Sequence, residues 1–346
     1  MAMFLYDLWY FACPAEALKP GQMRRKTLLG APVLLGRSQS GEAFALRDIC
    51  PHRGVPLSAG RIDGAQVECP YHGWKFGADG ACSLIPSLVE GQNVDTSKIR
   101  VRRYPLRETQ GNLWIYMADA SRAERAPSHE PPLLPSFAPD RTANIRESMR
   151  FQCHVDHAVV GLMDPAHGPF VHRAWWWRSG KSAHEKAKAF APSELGFTMV
   201  EHRPSSNSAA YRILGGMPTT EISFQLPGIR VEHIKVGRHR LVGLTSVTPI
   251  DAKATEITQS FYWTMSALSL AKPVVRHFMR AFLGQDRDMV NLQQEGLRFE
   301  PKLMLINDAD TQAKWYYQLK SEWEEAQMQG RPFENPVKAA TLRWRS

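Results

Sequence analysis

Cys50-Pro51-His52, a spacer of sixteen residues, then Cys69-Pro70-Tyr71-His72-Gly73-Trp74: this stretch decides how the chain is read. It offers two thiols and two imidazoles on two short loops, with strand-like sequence between them. Four soft donors in this pattern admit three readings: a structural zinc site with Cys2His2 ligands, a [2Fe–2S] cluster, or coincidence. Zinc fingers usually gather both Cys on one knuckle and both His on another. Here each loop carries one of each. That interleaving suits a two-iron cluster whose inner iron takes a Cys from each loop and whose outer iron takes a His from each.

Working outward, the 346 residues set a prior of one large domain or two ordinary ones, and 43% hydrophobic content is enough for real cores. No apolar run reaches the roughly 18 residues of a membrane span. The apolar stretch 3–12 is interrupted by Asp7, lacks a basic start and a cleavage site, and reads as a strand rather than a signal peptide, so a cytoplasmic chain is expected. Five cysteines, two of them in the motif, are not a disulfide framework; Cys13, Cys82 and Cys153 read as ordinary thiols. The net charge is +9, but the basic residues are scattered and no nucleic-acid motif accompanies them. An acidic protein partner or an anionic small substrate fits a positive surface as well.

Residues 1–118 read as an all-β unit. Val33-Leu34-Leu35, Ala43-Phe44-Ala45-Leu46, Gln66-Val67-Glu68-Cys69 and Asn112-Leu113-Trp114-Ile115-Tyr116 are strand-like, separated by turn signals such as Asp63-Gly64. Residues 119–140 are proline-rich and read as a linker or irregular wrap. Residues 141–346 read as an α+β unit, a sheet with helices over it. Residues 158–167 look helical. Phe197-Thr198-Met199-Val200, Glu221-Ile222-Ser223-Phe224, Leu241 to Thr245 and Thr258 to Trp263 are antiparallel strand candidates. Pro273 opens a long helix to about residue 299, and a second helix runs from an Asn307-Asp308 cap to Gln329, stopped by Gly330.

The Cys50/His52 and Cys69/His72 loops resemble the Rieske [2Fe–2S] signature at every defining position. Neutral histidines in place of two thiolates raise the potential of such a cluster relative to all-Cys ferredoxins, making it a good electron acceptor. Pro51, Pro70 and Gly73 are expected to shape the loops so that backbone amides point at sulfur. A Rieske carrier alone would need only the first unit, so the second unit argues against that function.

The second unit's most informative stretch is Asp164-Pro165-Ala166-His167-Gly168-Pro169-Phe170-Val171-His172. On an ideal helix a five-residue step turns about 140°, too far for both rings to meet one metal. Gly168-Pro169 should end or bend the helix and let His172 turn back. Taken alone, the pair could be one buried and one surface histidine. Beside a Rieske motif, the segment resembles the Asp-x-x-His-x-x-x-x-His motif of Rieske non-heme iron oxygenases. That resemblance implies that His167, His172 and a distant carboxylate form the 2-His-1-carboxylate triad of a mononuclear Fe(II). Gln285-Asp286-Arg287-Asp288-Met289-Val290-Asn291 is similar to the family's Glu-Asp-x-x-x-x-Glu segment and puts Asp286 at the ligand position, with Asp288 the competitor. Gln285 and Asn291 depart from that pattern, each standing where the family has Glu.

The resemblance also implies that Asp164 carries electrons between centres, bridging His167 to His72 (or His52) of a neighbouring chain in a homotrimer. Where the family often has Asn, Asp or Glu shortly before that Asp, this chain has Val160 and Gly161. Asp156 and His157, one turn upstream, either substitute in part or are ordinary helix residues. A single chain holding both centres looks like the oxygenase components of the vanillate O-demethylase, dicamba O-demethylase and toluenesulfonate methyl-monooxygenase group. That implies a helix-grip catalytic domain and electrons from NAD(P)H through a separate reductase, with or without a ferredoxin. It implies O2-dependent hydroxylation or demethylation of an aromatic, acidic substrate; a quaternary amine, steroid or tetrapyrrole is the alternative. Trp175-Trp176-Trp177 could line the pocket, cover its entrance or pack between subunits. Arg178, Arg230 and His233 are candidate carboxylate anchors.

Overall fold

The computed structural model describes residues 3–123, 126–172, 184–204 and 217–346. The described residues divide into two units, Tyr6–Thr142 and Ala143–Ser346, the second taking in residues 3–5.

The first unit is built from β1 (Leu8–Pro14), β2 (Met23–Leu28), β3 (Ala31–Arg37), β4 (Ala43–Arg47), β5 (Arg61–Asp63), β6 (Gln66–Glu68), β7 (Lys75–Gly77), β8 (Cys82–Leu84), β9 (Arg103–Tyr104), β10 (Leu106–Thr109) and β11 (Asn112–Met117). They form three antiparallel sheets, ordered β1-β11-β10, β2-β3-β4-β9 and β5-β6-β7-β8. Leu34, Phe44 and Leu46 from one sheet share a core with Val67 and Phe76 from another, and Cys50 and Cys69 are part of it. The two cysteines therefore emerge from the packed interior, which fixes their backbones. The proline-rich stretch after β11 is not a free linker. The buried Gln110 amide donates to the Leu134 and Phe137 carbonyls, each at 2.9 Å, and accepts from the Leu134 N–H. The Trp9 indole donates to the His129 carbonyl at 2.7 Å. A proline-rich chain cannot satisfy its carbonyls in a ladder, and here side chains of the first unit take several of them.

The second unit is one eight-stranded antiparallel sheet. In chain order its strands are β12 (Ile145–Phe151), β13 (Glu185–Ser193), β14 (Gly196–His202), β15 (Thr219–Gln225), β16 (Ile229–Val236), β17 (His239–Asp251), β18 (Ala254–Trp263) and β19 (Ala340–Arg345). Their order in space is β12-β18-β17-β16-β15-β14-β13-β19. The described helices are α1 (Val155–Met163), α2 (Gly168–Val171), α3 (Ser266–Leu270), α4 (Lys272–Leu297) and α5 (Thr311–Gln329). Phe190, Phe197 and Phe224 on one sheet face meet Trp315 and Tyr316 of α5 at centroid distances of 5.6, 5.1 and 6.0 Å. On β12, the buried Glu147 carboxylate accepts from Arg276 and Arg280 of α4, both at 2.8 Å.

Local starts and stops differ from expectation in two places. α5 begins at Thr311, later than the Asn307-Asp308 cap, because Asp308 sits in a left-handed turn (φ 61°) and its carboxylate accepts the Arg343 N–H. Its stop at Gly330 (φ 66°) is as expected. The expected 158–167 helix runs instead from Val155 to Met163. Pro165 forces Asp164 out of the helical region (ψ 116°), so the break comes before Gly168-Pro169. That dipeptide opens α2 instead, with Pro in its first turn. No helix of the described residues is long and apolar enough to cross a membrane.

Candidate metal centres

The two cysteine loops close in the same way. Cys50 donates its N–H to Val55 and accepts from Gly54; Cys69 donates to Trp74 and accepts from Gly73. Both closing glycines have positive φ, 72° and 71°, a conformation that side chains resist. Asp48, two residues before Cys50, is buried and accepts from the Ser58 amide and hydroxyl at 2.7 and 2.6 Å, pinning the first loop's exit.

Cys50 and Cys69 are each 2% exposed, whereas His52 is half-buried and His72 exposed. The donors thus lie in two layers, sulfurs inside and rings outside. The rings sit 4.6 Å apart, Trp74 stacks on His52 at 4.7 Å and 7°, and Tyr71 leans on His72 at 3.9 Å. Burial pushes the Cys50 thiol up to about 11, against the amide N–H groups of His52 and Arg53 aimed at its sulfur. Partial burial, then His72 and Arg53, lower the His52 pKa and favour the neutral ring that a ligand must be. Among the described residues only His167, His172 and Asp286 bring three metal-type donor atoms within 4.8 Å of one another. Cys50, His52, Cys69 and His72 therefore do not converge on one ion. The four fit a two-iron cluster and not a tetrahedral zinc.

In the second unit, the break at Pro165 and the single turn of α2 place His167 and His172 at the two ends of that turn. Their Nε2 atoms face each other at 3.1 Å. Asp286 of α4 brings Oδ1 to 3.2 Å from His172 Nε2 and 3.6 Å from His167 Nε2. Each ring's other nitrogen is already engaged: His167 Nδ1 lies 2.8 Å from the Asp164 carbonyl, and His172 Nδ1 lies 3.0 Å from Gln285 Oε1. Oxygen acceptors there assign the ring protons to Nδ1, so two Nε2 lone pairs and a carboxylate point at one spot. Donors held at right angles about 2.1 Å from a first-row metal lie about 3.0 Å apart, close to these separations. The residues fit a mononuclear metal ion.

The electrostatics agree. Burial pushes the Asp286 carboxyl up to about 6, and His167 and Arg230 restrain the rise. Burial opposes a charged His167, yet Asp164 and Asp286 outweigh it and raise its pKa. Burial likewise opposes a charged Asp164, but His167 and the Ala166 amide bring its pKa below the usual carboxylate range. The site concentrates negative charge that a cation would neutralise.

Other sequence candidates fall elsewhere. Asp288 is exposed and pairs with its neighbour Arg287 at 2.8 Å. Asp156 turns to α5, where Tyr316 Oη donates to it at 2.6 Å and Lys320 Nζ at 2.9 Å, so it does not support the metal site. Arg230 and His233 lie on opposite faces of β16. Arg230 pairs in register with Phe224, on the face that meets α5, and its charge reaches Asp286. His233 pairs with Glu221 on the other face. Trp175, Trp176, Trp177 and Arg178 lie outside the described residues. Gln285, read from the sequence only as a departure from Glu, is in contact with His172. Its neighbour Asp286 was the available signal, but an amide's partner 113 residues away is invisible before folding.

Residues 8–105 match the Rieske [2Fe-2S] domain family. Residues 151–326, a little over half of the chain, match the vanillate O-demethylase oxygenase C-terminal domain. The chain is 32% identical over 178 residues to the dicamba O-demethylase oxygenase component of Stenotrophomonas maltophilia, covering 49% of this chain and 48% of that one. It is 34% identical over 177 residues to a chlorophyllide a oxygenase of Chlamydomonas reinhardtii, covering 50% and 25%. It is 34% identical over 162 residues to the 4beta-methylsterol monooxygenase of Methylococcus capsulatus, covering 44% of each. These matches span half or less of the relatives' own lengths. The fold is shared over nearly the whole chain with dicamba monooxygenase bound to dicamba (TM-score 0.74, 20% identity, 95% and 99% covered). It is shared also with Pseudomonas putida CBB5 NdmA with caffeine (TM-score 0.71, 19% identity, 93% and 91% covered). With both domain families matched in order along it, the chain belongs to the Rieske non-heme iron oxygenases, in the branch whose C-terminal domain is that of vanillate O-demethylase oxygenase.

Proposed function

We propose that this protein is the terminal oxygenase of a multicomponent system that hydroxylates or oxidatively demethylates an aromatic, acidic substrate, using O2 and NAD(P)H-derived electrons delivered by a reductase. The observation that carries the proposal is the convergence of His167 Nε2, His172 Nε2 and Asp286 Oδ1, with both Nδ1 atoms engaged by oxygen. When bound, the [2Fe–2S] cluster at Cys50, His52, Cys69 and His72 supplies electrons, and a mononuclear iron at the triad supplies the site of O2 reduction. The outward His52 and His72 offer the cluster's exposed edge to a partner. Asp164 holds His167 through its carbonyl. Its carboxylate, one third exposed on the side chain, is suited to meet a neighbouring chain's His72 or His52 in a homotrimer. Exposed Leu292, Phe299, Leu303 and Met304 on and after α4 favour such an assembly.

Arg230 is the preferred substrate anchor. It lies on the helix-facing side of the sheet, its charge reaches Asp286, and a guanidinium suits a carboxylate near the reacting carbon. It pairs with Glu232 at 3.3 Å, and its side chain is about one quarter exposed. The sterol and chlorophyllide relatives favour a second reading, a larger polycyclic substrate held by shape.

Iron analysis of protein reconstituted without oxygen, followed by turnover with a reductase and NADH, tests both. About three irons per chain are expected, falling to about two in His167→Ala with the cluster's visible spectrum intact. Coupled O2 uptake should appear with methoxylated or methylated aromatic acids, and Arg230→Met should raise their KM more than it lowers kcat. Two irons in the unaltered chain would overturn the oxygenase assignment. Turnover confined to sterols or tetrapyrroles, indifferent to Arg230, would favour the second reading.

A further inference from the structure

The ring of His172 takes three contacts from α4. It is 2% exposed. Phe282 stacks on its ring at 3.5 Å and 17°, Gln285 Oε1 lies 3.0 Å from its Nδ1, and Asp286 Oδ1 lies 3.2 Å from its Nε2. Positions 282, 285 and 286 are spaced i, i+3, i+4 and share one helix face. His167, by contrast, takes its support from Asp164 in its own segment.

An amide can face an imidazole in two ways. With Oε1 inward it accepts the Nδ1 proton, and Nε2 keeps its lone pair for a metal. With the NH2 inward it would donate to Nδ1, the ring proton would move to Nε2, and the metal-facing atom would become a donor. Only the first arrangement is compatible with His172 as a ligand, and it is the one the structure has. Resting on the mononuclear metal site proposed above, we infer that Gln285 is the positioning residue of that site: as an uncharged acceptor it sets the tautomer and tilt of His172, and through them the site's affinity for a divalent metal.

The carboxylate variant keeps the acceptor and removes the donor alternative, whereas an aliphatic variant removes the acceptor and leaves a buried N–H unmatched. Losing such a support costs about 10–100-fold in metal affinity. The test titrates Co2+, followed by its visible bands, into full-length protein that holds its Rieske cluster and has been stripped of mononuclear metal. Gln285→Leu should bind Co2+ about 10–100-fold more weakly than the unaltered chain, and Gln285→Glu at least as tightly, with the cluster spectrum unchanged in both. Gln285→Leu binding within about threefold of the unaltered chain would overturn the inference, as would equal weakening in both variants, since that would trace the effect to packing. His167→Ala is the separating control. If it too binds like the unaltered chain, the metal site itself fails; if it alone loses Co2+, only the role of Gln285 fails.

Discussion

Asp156→Ala should destabilise the second unit more than any single change at its surface. Lys320, on α5, has a side chain 2% exposed, and both Asp156 carboxylate oxygens lie 2.9 Å from its Nζ. Tyr316 Oη donates to the same carboxylate at 2.6 Å. The carboxylate itself is 16% exposed, so water reaches it little. Removing it takes the carboxylate away from a buried ammonium and from the Tyr316 hydroxyl. Breaking a buried pair by deleting one partner costs about 3–5 kcal/mol. For a unit of this size each kcal/mol moves the melting point by about 2–4 °C, which gives a drop of about 6–20 °C. Calorimetry on the iron-loaded chain, with the buried Trp315 and Trp323 of α5 as fluorescence reporters, measures it. The double variant Asp156→Ala/Lys320→Met should recover much of the loss, because no charge is then stranded. A drop under about 2 °C, or a double variant no better than the single one, would refute the claim that this pair braces α1 against α5.

Asp164→Asn should keep both metal complements and the cluster spectrum yet lower coupled turnover sharply, and near-normal turnover would remove Asp164 from the electron route. Gly73→Ala should impair cluster retention more than Gly54→Ala, read as cluster absorbance per chain. Both residues have positive φ, costing about 1–2 kcal/mol for a side chain, but a Cβ at Gly73 also comes within 3.1 Å of Pro86 Cγ, whereas at Gly54 it meets nothing within 4 Å. Equal losses at the two positions would show that the space near Pro86 is immaterial.

How much of this was legible in the sequence depended on how local each feature is. The cluster loops were readable because ligands, glycines and prolines sit within six residues of one another, and the chemistry dictates the turn. His167 and His172 were readable for the same reason, although the break that joins them lies at Pro165 and not at Gly168-Pro169. Asp286 could be singled out only by resemblance, since Asp288 on the same helix has the same composition and a different fate. Arg230 and His233 were grouped as equivalent anchors, yet three residues apart on a strand means opposite faces. The strand had to be recognised before that period could be applied. Proline density at 119–140 leaves a linker and an irregular wrap equally open, because it says nothing about which carbonyls will accept from a distant Gln110 amide.

The division of labour between the second unit's segments has a physical cause. Two histidines five residues apart are brought to 3.1 Å by one turn of four residues, with Pro169 buried and Phe170 exposed. α4 instead spans 26 residues and is tied to the sheet by Arg276 and Arg280 on Glu147. Arg280 and Asp286 are six residues apart on the same helix, about 9 Å along its axis. Because Phe282 and Gln285 ride on the same rod, the carboxylate and the support of His172 arrive in register. Any shift of α4 along its axis therefore moves ligand, stacking ring and acceptor together.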